Sequence, residues 1–196
     1  MTGLILASQS RVRADLLRAA GVTFETASPD VDEDAVKAAL AHASAREIAG
    51  VLADRKALAL AVYGRGDGLV IGADQTLEYE GRLFDKAASR EDARVRLWLL
   101  RGRTHNLHSA VSLARQGTVI WRETVTASLT MRDFSEAWLE GYLDRNPAVL
   151  CSVGCYQLEG EGVQLFSRID GDYFAILGLP LTGLLEALRR EGALRE

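Results

Sequence analysis

The segment from Gly102 to Arg132, "GRTHNLHSAVSLARQGTVIWRETVTASLTMR", limits the possible folds more than any other. It reads as two long strands turned at Gln116–Gly117, and such a hairpin demands antiparallel pairing. The opening of the chain asks for something else. Leu4 to Ala7 is a short apolar strand, and a helical pattern from about Arg11 to Ala20 follows at once, with Leu16, Leu17 and Ala20 as its stripe and Gly21 as its stop. A chain that needs both features belongs to the α/β class in its mixed α+β form, with a central mixed sheet.

The remaining pattern agrees. Thr23 to Thr26 reads as a short strand, "SPDVDEDAVKAAL" as an acidic turn entering a helix, and Ser44 to about Val62 as a longer helix. "YGRGDG" reads as a loop. "LVIGADQTLEYEG" is a buried strand interrupted by Gly72, polar at Asp74 and Gln75, and turned at Glu80–Gly81. Ser89 caps a helix to Leu100, and Phe134 to Leu143 is helical. Strands are expected at about Leu150–Tyr156 and Gly162–Ile169, and a last helix after "GLPLTG". A length of 196 residues suffices for one core or for two small lobes around a cleft. With only three prolines and no Gly/Pro/Ser linker, residues 1–196 are expected to form a single bilobed domain.

Hydrophobic residues make up 48% and charged residues 26%, ordinary values for a globular chain. A net charge of -4 argues against a broad nucleic-acid surface but allows a local basic pocket. No stretch approaches the roughly 20 apolar residues of a membrane span, and the start "MTGLILASQSR" lacks the features of a signal peptide. Cys151 and Cys155 form no C-x-x-C pair and read as small apolar strand residues, which suits a reducing cytosol. A cytoplasmic protein without nucleic-acid or membrane partners is expected.

Several short stretches carry chemistry. In "LASQSRVRADLL" a helix N-terminus follows a strand directly, so free N–H groups and the positive dipole end face whatever lies beyond it. Ser8 and Ser10 add hydroxyls, and the Arg13 guanidinium is able to clamp phosphate in two places. The same residues also fit a capped helix with solvated arginines. In "VIGADQ", Asp74 follows apolar strand residues, where a carboxylate is costly unless paired, metal-bound or facing a cleft; a turn-starting Asp is the plainer reading. Gly72 permits a close approach by another backbone or a ligand. Lys86, in "LFDKA", returns toward Asp74 if the chain turns at Glu80–Gly81. Lys56, in "LADRKALAL", either snorkels or reaches an anion. Glu33 fits an ordinary acidic helix start. His105 and His108 fall on opposite strand faces, which argues against a zinc pair. Asp172 and Tyr173, after a glycine turn, read as pocket wall or plain loop.

Taken together these stretches resemble the Maf family of nucleoside triphosphate pyrophosphatases. "LASQSRVRADLL" is similar to the family's L-A-S-x-S-P-R-R-x-E-L-L, "LADRKA" to L-A-x-x-K-A, "IGADQ" to I-G-A-D-T/Q and "DKA" to G-K-P. "GRTH" matches G-R-T-H, and "GDYFAILGLPL" is similar to G-D-Y-x-x-x-x-G-L-P-L. Each match is short, but all occur in the family's order along nearly the whole chain. Arg11 stands where the family has proline, Val12 at its first arginine, and Ala87 at the proline after the lysine.

The resemblance implies an inosine-triphosphatase-like (Maf/Ham1) fold and metal-assisted hydrolysis of the α–β phosphoanhydride to a nucleoside monophosphate and pyrophosphate. It makes Asp74, Glu33 and Lys86 catalytic, with Asp74 and Glu33 on a Mg²⁺ or Mn²⁺ ion. Ser8, Arg13 and Lys56 would bind the polyphosphate. Gln75 and Glu159 are similar to the branch that prefers 7-methyl-GTP. A carboxylate at 159 accepts hydrogen bonds from a guanine N1–H and amine, which uracil and thymine do not offer in that geometry. The resemblance also implies a homodimer. Three other readings compete: a dTTP/UTP-preferring enzyme, a nucleotide-binding regulator of septum formation with little catalysis, and a binder of phosphosugars or other small anions.

Overall fold

A computed structural model of the chain describes residues 3–61 and 68–195, so Val62 and most of the loop expected over "YGRGDG" lie outside the described residues. Strand β1 (Leu4–Ala7) runs parallel to both β2 (Glu25–Ala27) and β3 (Leu69–Tyr79). All other pairings are antiparallel: β3 with β4 (Arg82–Phe84) and β5 (Thr104–Arg115), β5 with β6 (Thr118–Met131), and β6 with β7 (Phe166–Asp170). The described strands thus form one mixed sheet, as the hairpin and the strand–helix opening together required. Both tight hairpins use two consecutive left-handed residues, Glu80–Gly81 and Gln116–Gly117, a geometry that matches the twist of the flanking strands.

The helices begin where side chains can cap them. Ser10 accepts from the Arg13 N–H to start α1 (Arg11–Ala19), and Asp32 accepts from the Ala35 N–H to start α2 (Glu33–Ala39). Helix α3 (Ala45–Ala61) is long and alanine-rich. Ser89 caps α4 (Arg90–Leu100), Ser135 caps α5 (Glu136–Arg145) and Asp172 caps the short α6 (Tyr173–Ile176). Helix α7 (Leu181–Arg190) buries Leu181, Leu184, Ala187 and Leu188 on one stripe.

The sheet forks along one edge of β3. Strand β1 pairs with β3 only up to Ala7 opposite Gly72, and β4 begins its pairing at Phe84 opposite Leu77. Residues 73–76 of β3 therefore have no strand on that side, although β5 pairs continuously along the other. A core lies on each side of the gap. One gathers Leu6, Leu17, Leu69 and Leu184; the other gathers Leu77, Leu97, Leu129 and Tyr142. Two lobes around a cleft follow from this split.

Four expectations are corrected. Asp74 lies inside a continuous β3, not after its end, and Gly72 does not interrupt that strand. Gly72 instead admits helix α3: a Cβ there would stand 2.1 Å from the Ala53 carbonyl oxygen and 2.4 Å from the Ala57 nitrogen. The strand expected over Leu150–Tyr156 is absent. A 3₁₀ turn at Pro147–Cys151 leads into turns that include Cys155 at a φ of 57°, while Val149, Val153, Cys155 and Tyr156 bury into the core without pairing. The next expected strand starts only at Phe166, after a second 3₁₀ turn at Glu161–Leu165.

His105 ties this irregular segment to the sheet. Its Nε2 lies 2.7 Å from the Tyr156 hydroxyl, its Nδ1 is buried without a partner, and the residue is 1% exposed. Burial lowers its pKa from 6.5 to about 4. The folded protein therefore holds fewer protons than the unfolded chain between these values, so the neutral ring's contribution is complete above pH 6.5 and fades as pH falls toward 4. The full linkage amounts to about 3 kcal/mol. Urea unfolding of wild type and His105→Gln at pH 7.5 and pH 4 should show a steeper acid loss for wild type. Equal losses would exclude a depressed histidine.

Candidate active site

The fork in the sheet exposes the centre of β3, and every element around the gap adds a polar group. Chain leaving β1 carries Ser8 and Ser10. The Ser8 hydroxyl accepts from the Ser10 N–H at 3.2 Å and from Arg13 Nη1 at 3.3 Å. Ser10 caps α1 and also lines the cleft. Arg13 points to the cleft floor, where Nη1 donates to the Ala73 carbonyl (3.0 Å) within the unpaired stretch of β3 and Nε donates to the Gly178 carbonyl (2.8 Å). Its guanidinium thus ties β1, β3 and the end of α6 together. Burial lowers its pKa, against the pull of Asp74 and Glu33. Arg11, at the exposed start of α1, also lines the cleft and makes no hydrogen bond or ion pair.

At the centre is an ionic triad. The Lys56 ammonium lies 2.6 Å from Asp74 Oδ1 and 2.7 Å from Glu33 Oε1. Helix α3 comes close enough for this contact because Gly72 has no Cβ. Lys56 and Asp74 are only 8% and 7% exposed. Burial raises the pKa of Asp74, partly offset by Lys56 and Arg13. Glu33 goes the other way: burial would raise it, but Lys56, Lys37 and Lys86 together bring it below the ordinary value.

Among the described residues no group of three or more metal-ligating side chains exists, so no all-protein cage is present. Lys56 takes one oxygen of each carboxylate, and Asp74 Oδ2 and Glu33 Oε2 make no hydrogen bond. Two carboxylate oxygens suit a Mg²⁺ or Mn²⁺ ion whose other ligands are phosphate oxygens and water.

The turn at Glu80–Gly81 returns the chain along the other side of the gap, bringing Asp85 and Lys86 to the cleft. Lys86 is exposed and free of ion pairs. Lys37, a residue not singled out from the sequence, also reaches the cleft and pairs with Asp85. It follows Glu33 by one helical turn on α2, a spacing that marks a shared face.

The opposite wall is the 148–159 segment, including Glu159, which is exposed and makes no hydrogen bond. Gln75 lies at the boundary, but its Nε2 is engaged by Ser109 Oγ (2.8 Å) and the Ala175 and Ile176 carbonyls (3.1 and 2.9 Å). Its amide nitrogen thus anchors α6, leaving Oε1 for any ligand. The whole cleft measures about 980 Å³ and contains Ser8, Arg13, Glu33, Lys56, Asp74, Gln75, Lys86 and Glu159 together.

The Maf family model, described as Maf-like protein, matches residues 3–191. A nucleoside triphosphate pyrophosphatase of Caulobacter vibrioides is 56% identical, over 99% of this chain and 98% of its own length. Another of that name, from Maricaulis maris, is 47% identical over all of both chains. A 7-methyl-GTP pyrophosphatase of Brucella abortus is 47% identical over 96% of each chain. A solved HAM1 protein from Coxiella burnetii aligns with 67% of this chain and 73% of its own, at 17% identity and a TM-score of 0.43.

Proposed function

This chain belongs to the Maf family, and from that premise we propose that it is a nucleoside triphosphate pyrophosphatase. The observation that carries the reading is the Asp74–Lys56–Glu33 triad, set in a cleft whose rim is cationic at Arg11, Lys37 and Lys86. An anionic polyphosphate matches the rim, and a buried carboxylate with a raised pKa matches a base for water.

In this reading Asp74 takes a proton from the water that attacks the α-phosphorus. The bond from that phosphorus to the bridging oxygen breaks, and pyrophosphate leaves. Lys56 fixes the Asp74 carboxylate and prevents its rotation. Arg11 and Lys86 offset the charge that grows on the leaving group. Glu33 would hold the divalent ion through its second oxygen, leaving Asp74 Oδ2 for the water, and such an ion would supply further charge neutralisation on the phosphates. The α1 N-terminus and Ser8 hold phosphate oxygens by hydrogen bonding. The cytoplasm, which keeps thiols reduced, suits the unpaired Cys151 and Cys155.

For the base we propose 7-methyl-GTP, with Glu159 as the acceptor of guanine N1–H and amine protons. Its carboxylate is free and faces the cleft, and the Brucella relatives named for that substrate support the reading. Gln75 then shapes the pocket through α6. Glu159→Ala should lower kcat/KM for 7-methyl-GTP by roughly 10- to 100-fold, as expected for lost hydrogen bonds to a charged group, and change that for UTP by much less. Equal losses on both substrates would remove Glu159 from base selection and leave the pyrophosphatase reading standing.

A further inference from the structure

Helix α2 buries none of its residues, so polar contacts hold it to the rest of the protein. Two of its ion pairs lie at the cleft. Glu33 reaches Lys56 on α3, and one turn later Lys37 reaches Asp85 beside Lys86. The two partners of the second pair are unlike: the Lys37 side chain is 22% exposed and that of Asp85 is 64% exposed. Glu33 and Asp74 both act on the Lys37 charge, which places its ammonium within the field of the triad. The cations at the cleft are unevenly committed. Lys56 is held by two carboxylates, and Arg13 by two carbonyls and Ser8. Arg11 and Lys86 are free, and a triphosphate brings more negative charge than those two can match.

We propose that Lys37 is a further substrate-binding residue, and that Asp85 holds its ammonium in the place a phosphate takes when the polyphosphate enters. The proposal rests on the pyrophosphatase reading. An exposed carboxylate gives up a lysine at little cost, because such surface pairs are weak and their groups rehydrate readily. A phosphate offers more charge and more acceptor oxygens in exchange. Asp85 therefore competes with substrate for Lys37.

The competition has a signature that a merely structural ion pair lacks. Both Lys37→Met and Asp85→Asn break the pair, so a structural role shifts both variants the same way. Competition shifts them in opposite directions. Inorganic pyrophosphate titrated calorimetrically in Mg²⁺ buffer should bind Lys37→Met roughly tenfold more weakly than wild type and Asp85→Asn severalfold more tightly. KM for the nucleotide should move likewise, and Lys37→Arg should restore most of the binding. Weaker binding in both variants, or no change in either, overturns the proposal. Absence of pyrophosphate release by wild type would instead sink the enzymatic reading, while the binding titrations still decide the role of Lys37.

Discussion

Asp74→Asn should lower kcat for pyrophosphate release by roughly 10³-fold, the loss expected when a positioned base is removed, without lowering the melting temperature. The two halves of this expectation have separate causes. The substitution keeps the shape of the side chain and its acceptor oxygen for Lys56, but removes the carboxylate proposed to take the proton from water. Stability follows from the direction of the pKa shift. Burial raises the Asp74 pKa, so the ionised form at neutral pH is held in the folded state at a cost, and a neutral side chain removes that cost. Lys56 retains Glu33 at 2.7 Å and is not left unpaired. Steady-state kinetics with a pyrophosphate-coupled assay and a thermal melt check both halves. A drop in melting temperature of similar weight to the loss of activity would mark Asp74 as a structural ion-pair residue.

Gly72→Ala should be strongly damaging for a single added methyl. The new Cβ would sit 2.1 Å from the Ala53 carbonyl oxygen, and both it and the Ala57 nitrogen belong to helix backbone, which cannot swing aside as a side chain does. Helix α3 must therefore lift from the sheet. Overpacking of this kind costs about 3 kcal/mol, which in a chain of this size lowers the melting temperature by about 6–12 °C. The helix also carries Lys56, so lifting it separates the ammonium from Asp74. Activity should consequently fall even at temperatures where the variant remains folded, and the loss should appear in kcat more than in KM. Differential scanning calorimetry with kinetics at 20 °C tests this. A variant with wild-type kcat would show that α3 has room to adjust without disturbing the triad.

Local signals explain what the sequence made legible. Ser10, Ser89 and the acidic turn before Glu33 mark helix starts, because capping is decided within one turn of chain. The Gln116–Gly117 and Glu80–Gly81 turns were readable for the same reason, and the second explains why Lys86 lines the same cleft as Asp74. The fork was not readable. It depends on where β1 stops and β4 starts along β3, a matter of register between distant segments. Asp74 consequently looked like the end of a strand, since a carboxylate inside a buried strand is costly and only the missing neighbour makes it tolerable. The 148–159 wall misled in the opposite sense: its apolar residues suit a strand, yet they bury by turning inward. Gln75 shows the same limit, since its amide is committed to carbonyls of α6, a hundred positions away in the chain. Lys37 was available from its spacing to Glu33, but an acidic helix start gives no reason to look for its cation.

Hydrolysis between the α- and β-phosphates is tested most directly by its products. Wild-type protein with Mg²⁺ should be incubated with 7-methyl-GTP, GTP, UTP and dTTP in turn, and the products resolved by ³¹P NMR. Nucleoside monophosphate and pyrophosphate are expected in equal amounts, fastest from 7-methyl-GTP. Nucleoside diphosphate with orthophosphate, or four intact triphosphates, would contradict α–β hydrolysis.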